Sequence, residues 1–187
     1  MIKAYFLSNV KKFFKFKSDE KYKNYLLCVI SIIKKQAQEA KIEADNQKKG
    51  SWGYAEGVVM GYYSIITLLK HEAFAFCIDQ KELGLADIKP DVDLLGFGRN
   101  PDVDFGEDNW MVDVMNKETI LGYLSDSIVL LKERAREAKK EVDNSKEGFD
   151  DYNKGEWMAY CSVFSLLKRQ ASFFSLDEKE LGLADID

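Results

Sequence analysis

Along residues 18–46, SDEKYKNYLLCVISIIKKQAQEAKIEADN, apolar side chains recur at steps of three and four. The stripe runs Tyr22, Leu26, Val29, Ile30, Ile33, Ala37, Ala40 and Ala44, the spacing that lines one face of an α-helix. Ser18 stands in the N-cap position. Asp19 and Glu20 follow in the first turn, where the free N–H groups and the helix dipole favour acids. A helix of about 28 residues is predicted, on the order of 40 Å long at 1.5 Å per residue. Its stripe narrows to alanines, which lets a neighbour come close.

Residues 47–53 carry two glycines and read as a reversing turn. A second helix is predicted from about Tyr54. On it Gly57, Gly61, Ser64 and Leu68 fall on one stripe, with Val58, Ile65, Leu69 and Phe76 beside them. Glycine costs a helix about 1 kcal/mol relative to alanine, so two in one helix imply that close backbone packing offsets the loss. The partner predicted for this packing is the preceding helix, in an antiparallel αα-hairpin. Beyond Phe76, Asp79 and Glu82 have capping-box spacing and Gly84 sits at a C-cap. They predict a one-turn helix, with Leu83, Leu85 and Ile88 plugging the end of the hairpin.

The whole pattern then returns. Tyr54 to Ile88 reappears without insertion or deletion at Tyr152 to Ile186, and residues 116–144 repeat the first long helix, with Asn116 answering Ser18 and Tyr123, Leu124, Ile128 and Leu131 answering Tyr25, Leu26, Ile30 and Ile33. A hairpin of about 70 residues buries its apolar face poorly alone, so such units stack. The fold expected is all-α: two tandem duplicated αα-hairpins packed as a pseudo-two-fold helical bundle, with an irregular central connector. Residues 1–187 are read as one helical domain, divided into an N-terminal segment 1–17, a first repeat 18–88, an acidic connector 89–115 and a second repeat 116–187. The connector holds both prolines, Pro90 and Pro101, and is read as neither repeated nor helix-like, with an extended piece at residues 110–115. Its large apolar groups, Leu94, Leu95, Phe97, Phe105 and Trp110, argue that it is ordered.

Charge sharpens this picture. The chain is 46% hydrophobic and 32% charged with a net charge of −5, an ordinary balance for a globular protein. Lysines crowd residues 3–23 and acids crowd residues 91–113. The acidic balance points away from direct nucleic-acid binding and towards a basic macromolecule. In residues 1–17, Phe6, Val10, Phe13 and Phe14 make a short amphipathic segment, read mainly as core-capping phenylalanines with solvated lysines rather than as a membrane element. This stretch lacks the long apolar core of a signal peptide or span. Cys28, Cys77 and Cys161 make no complete disulfide set and no CxxC pair, which fits a reducing cytoplasm.

The duplication tests candidate chemistry, because a residue that serves the unit should appear in both copies. His71 is answered by Arg169, and there is no second histidine with which to build a site. Cys28, Cys77 and Cys161 are answered by Asp126, Ser175 and Tyr63, so they read as packing residues rather than nucleophiles. The residues kept in both copies, such as Tyr54, Gly57, Met60, Tyr62, Ser64, Leu68 and Phe76, are packing and capping types. An EF-hand reading that starts at Asp91 puts Leu95 at the fifth position and Asp102 at the twelfth, a poor match. No phosphate loop, HExxH or GxSxG is present. The sequence thus predicts no catalytic residue, no metal site and no cofactor.

The pattern G-x-x-x-x-Y-x-S-x-x-x-L-L-K, followed by D-x-K-E-L-G-L-A-D-I, resembles the small helical immunity proteins encoded beside bacterial polymorphic toxins, notably those of contact-dependent growth inhibition systems. The resemblance covers each hairpin and rests on packing and capping residues. It implies a cytosolic, non-enzymatic protein that binds one cognate toxin domain and blocks its active site or substrate entry. For a basic nuclease toxin, the contact residues expected are Asp91, Asp93, Phe97, Asp102, Asp104, Phe105, Glu107, Asp108 and Trp110. Charge would speed encounter and the aromatic groups would anchor the complex. The alternative reading is a helical scaffold or regulatory homodimer whose leftover apolar faces meet a second copy.

Overall fold

The computed structural model describes residues 18–46, 53–97, 115–145 and 150–184. Among these residues the protein is all-helical, with no strand. Four long helices are present, α1 (Ser18–Asn46), α2 (Tyr54–Ala75), α4 (Lys117–Asp143) and α5 (Asp150–Phe173), with a single turn, α3 (Pro90–Asp93), between the halves.

Helix α1 forms as its stripe predicts. Tyr22, Leu26, Val29, Ile30, Ile33, Ala37 and Ala40 are buried, and Ala44 packs against them. Tyr25, outside that stripe, is also buried. Helix α4 opens on Asn116, whose side-chain oxygen accepts from the Thr119 N–H at 2.8 Å, the N-cap bond its sequence promised. Helix α2 opens differently: Glu56 reaches back to the Gly53 N–H at 3.0 Å.

The glycines of α2 correct the predicted pairing. A Cβ built on Gly57 would stand 1.9 Å from the Tyr152 carbonyl oxygen, and one on Gly61 would stand 2.5 Å from the Ala159 Cβ. Both partners lie on α5, so the close approach joins the central helices of the two halves rather than α2 to α1. Gly155 returns the contact, its Cβ position lying 2.0 Å from the Tyr54 carbonyl oxygen. Further along, Tyr62 lies beside Ser162 and Tyr160 beside Ser64. Partners advance together along both helices, so α2 and α5 run in the same direction. Helices α1 and α4 pack on this central pair.

Cross-contacts between the halves also come in equivalent pairs. The Tyr25 hydroxyl donates to Leu167 O at 3.2 Å, and the Tyr123 hydroxyl donates to Leu69 O at 3.1 Å. The Tyr25 ring stands edge-on to Phe174 at 6.1 Å, and the Tyr123 ring to Phe76 at 6.2 Å. Edge-to-face rings in this range add attraction beyond the area they bury. Within each half, Lys34 Nζ donates to Gly84 O at 2.6 Å and Lys132 Nζ to Gly182 O at 2.7 Å, tying the long helix to the turn that follows its partner.

Those turns explain the kept D-x-K-E-L-G-L. The Asp79 carboxylate accepts from the Lys81 N–H at 2.8 Å, and Asp177 does the same for Lys179 at 2.9 Å. The bond reaches two residues on rather than the three of the predicted capping box, and the segment is a hydrogen-bonded turn, not a helix. Gly84 and Gly182 close it with φ of 68° and 71°, and Leu83, Leu85 and Ile88 are buried beneath it.

Helices α2 and α5 end on residues that strain the backbone. Cys77 and Ser175 take φ of 52° and 51°. At these ends the Cys77 N–H closes onto Phe74 O and the Ile78 N–H onto Ala73 O, with Ser175 and Leu176 repeating the pattern on Ser172 and Ala171. Helices favour glycine there, because a Cβ costs energy in the left-handed region. Cys77→Gly and Ser175→Gly are each expected to stabilise the fold by about 0.5–1 kcal/mol. Urea midpoints of the two variants, measured singly, check the expectation, and a lowered midpoint would contradict it.

Candidate protein-binding surface

Three of the nine predicted contact residues, Asp91, Asp93 and Phe97, lie where the chain leaves the first repeat. Asp102, Asp104, Phe105, Glu107, Asp108 and Trp110 lie outside the described residues, as do residues 1–17 and all but Met115 of the extended piece expected at 110–115.

The connector begins with a helical turn, contrary to its reading as wholly irregular. Pro90 occupies the first position of α3, where its missing N–H is not needed and its fixed φ suits a helix. The Asp93 carboxylate accepts from the Lys89 N–H at 2.7 Å, across that turn. Gly96, at a φ of 71°, ends it, with its own N–H bonded to Val92 O and the Phe97 N–H to Asp91 O. Leu94 is buried and anchors the segment, whereas Phe97 is 63% exposed.

Two groups of α2 hold this turn and the chain that leads into it. The Tyr63 hydroxyl donates to Asp91 Oδ1 at 2.9 Å, and that carboxylate raises the phenol's pKa, with burial adding to it. Lys70, half-buried, donates to Ile88 O at 2.8 Å and Leu85 O at 3.2 Å. Burial lowers the ammonium's pKa, and neighbouring Lys89 pushes the same way. Asp91 and Asp93 remain exposed beside Phe97. The arrangement offers carboxylates and one aromatic ring on a braced turn, groups that suit contact with a basic protein surface.

The other candidate groups are placed as follows. His71 is exposed. The Cys28 thiol meets Gln170 Oε1 at 3.6 Å, and burial pushes the Cys161 thiol up, opposite to what a reactive thiolate requires. Among the described residues no three His, Cys, Asp or Glu side chains gather into a metal-binding group. Nor is any helix among them long and apolar enough to cross a membrane. Elsewhere, the large apolar side chains Phe74 and Phe173 are 69% and 77% exposed.

Sequence reasoning missed Tyr63 as the holder of Asp91. Its counterpart is Cys161, so the repeat carried no signal for it.

Burial sets a pH limit on the fold. The Tyr160 phenol is pushed up to about 12 by burial first and then by Glu156, and Tyr22 to about 12 by burial first and then by its bond to Glu180. Tyr25 and Tyr123 are raised further by burial. An unfolded chain ionises its tyrosines near pH 10. These raised groups therefore leave stability intact below pH 10, and it is lost as pH rises from there through about 12. Urea midpoints recorded from pH 8 to 12 should hold steady and then fall above about 10, and a flat profile would contradict the burial of these phenols.

Comparison with family models, with curated proteins and with solved structures finds no match to the chain.

Proposed function

We propose that the protein is an immunity protein, a cytosolic and non-catalytic helical protein that binds a cognate basic toxin domain, a nuclease, and blocks its active site or substrate entry. The supporting observation is the braced turn at the start of the connector, where exposed Phe97 stands with the exposed carboxylates of Asp91 and Asp93. The acidic run that follows, with Asp102, Asp104, Phe105, Glu107, Asp108 and Trp110, extends the same chemistry in sequence. The resemblance of each repeat to helical immunity proteins agrees with it.

The scaffold for this surface is one domain in which two duplicated hairpins pack about a pseudo-two-fold axis. Its support is the set of equivalent contacts, Gly57 with Gly155, Tyr25 with Tyr123 and Phe76 with Phe174. The axis runs along the α2/α5 seam, between two helices that point the same way.

A pull-down from the native host, together with the polypeptide encoded immediately upstream, tests the function. Wild-type protein should recover a single basic domain and protect cells from it. Changing Asp102, Asp104 and Glu107 together to Lys, with Phe97→Ala, should weaken binding at least about 30-fold, the cost of losing a central anchor. Equal recovery by the variant would move the interface onto the helices. The exposed Phe74 and Phe173 favour the second reading, a homodimeric scaffold. Self-association without any captured domain or growth protection would support that reading and overturn immunity.

A further inference from the structure

Several contacts between the two halves are built twice. Gly57 approaches Tyr152 O while Gly155 approaches Tyr54 O. Tyr25 reaches Leu167 O while Tyr123 reaches Leu69 O. The Tyr22 hydroxyl donates to Glu180 Oε2 at 2.5 Å, a bond made once because Ile120 answers Tyr22, although the first repeat carries both Tyr22 and Glu82, the counterpart of Glu180. A surface whose contacts are reciprocal in this way is complementary to a copy of itself.

We propose that the first repeat is a self-pairing module. Its partners are the second repeat of its own chain and, when that is removed, a second copy of itself; the second repeat pairs only with the first. The proposal rests on the symmetric packing proposed above and is independent of any toxin.

The repeats differ along the seam at Val58 and Glu156, whose backbones meet Gly155 and Gly57, and at Gly61 and Ala159, where the difference bears directly on self-pairing. Gly61 faces Ala159, and a Cβ at residue 61 would stand 2.5 Å from the Ala159 Cβ, closer than two non-bonded carbons pack. Two first repeats bring glycine against glycine at this point, which leaves room. Two second repeats bring alanine against alanine, and the methyl groups collide. The polar, backbone and ring contacts of the first repeat named above survive the exchange. Leu69 O and Tyr54 O are backbone acceptors present in the first repeat, Glu82 takes the place of Glu180, and Phe76 takes the place of Phe174 against Tyr25. Opposite Asn24, where Gly122 stands in the second repeat, the movable Phe76 ring adopts the position that Phe174 already holds.

The test starts from the folded full-length protein with a protease site inserted at residues 102–108. After cleavage the two halves should stay together in gel filtration. Separated in urea and refolded apart, the first half should sediment at twice its own mass and the second at its single mass. Ala159→Gly in the second half should produce a dimer, and mixing the two wild-type halves should restore the one-to-one complex. A first half that stays monomeric at concentrations where it recombines with the second would overturn the proposal, as would a wild-type second half that dimerises as tightly as the first.

Should a half not refold alone, the intact chain decides. Gly61→Ala should lower the urea midpoint, and adding Ala159→Gly should return most of that loss by moving the single methyl group to the other side of the seam. A double variant no more stable than Gly61→Ala would overturn the reciprocity on which self-pairing depends.

Discussion

Gly57→Ala is expected to destabilise the protein by about 2–3 kcal/mol, although alanine is the better helix former by about 1 kcal/mol. The added Cβ would lie 1.9 Å from Tyr152 O, 2.8 Å from Tyr152 C and 3.0 Å from Glu156 N, all backbone atoms of α5. A flexible side chain could swing away from such a methyl group, but a helix backbone must move as a body. That movement opens the seam along which Tyr62 and Tyr160 are buried. For a chain of this length the loss lowers the melting temperature by roughly 5–10 °C. Gly155→Ala meets Tyr54 O at 2.0 Å and should cost a similar amount. The double variant should cost less than the sum, because one displacement of the helices relieves both clashes. Thermal and urea melts of the three proteins measure this. Wild-type stability in Gly57→Ala would rule out the close approach of α2 and α5.

Tyr123→Ala is expected to cost more, about 3–5 kcal/mol, the range for deleting a buried aromatic ring. Tyr123 is fully buried, packs edge-on to Phe76 and donates to Leu69 O. Its removal therefore leaves a cavity where α4 meets the other half and ends one of the hydrogen bonds between the halves. Tyr123→Phe keeps the ring and loses only the hydroxyl bond, a cost of about 1 kcal/mol. Urea unfolding of the pair separates the two contributions. If phenylalanine proves as costly as alanine, the hydroxyl bond rather than ring packing carries the joint.

Much of this architecture was legible in the sequence, for reasons that differ by element. The α1 stripe from Tyr22 to Ala40 could be read because a long helix with one buried face repeats its period many times. Asn116 could be read because an N-cap has strict local chemistry, whereas Gly84 was recognisable as the close of its segment but not as the close of a turn rather than a helix. The partner of Gly57 and Gly61 could not, since a glycine records that something comes close without recording what. In a duplicated chain, two helices offered themselves to α2, and the nearer one in sequence was the wrong choice. Tyr25 escaped the stripe because its contacts, Leu167 and Phe174, belong to the other repeat. In the candidate surface, the acids and Phe97 stood out by composition, whereas the bracing by Tyr63 and Lys70 depends on how the chain folds back on α2. The helical turn at Pro90 was hidden because proline and aspartate suit both a helix start and an irregular linker.

The reach of Tyr25 to Leu167, 142 residues along the chain, also constrains how the protein is made. Contacts so distant in sequence form late, and they slow folding relative to bundles held by local contacts. During synthesis the first repeat emerges from the ribosome long before the residues that complete its core, and domains on a ribosome generally fold as units in order of emergence. Here the partners of Tyr25 and of Gly57 lie on the later-made residues 152–174. The early half waits with Tyr25 and the glycine face of α2 uncovered until α5 has left the exit tunnel.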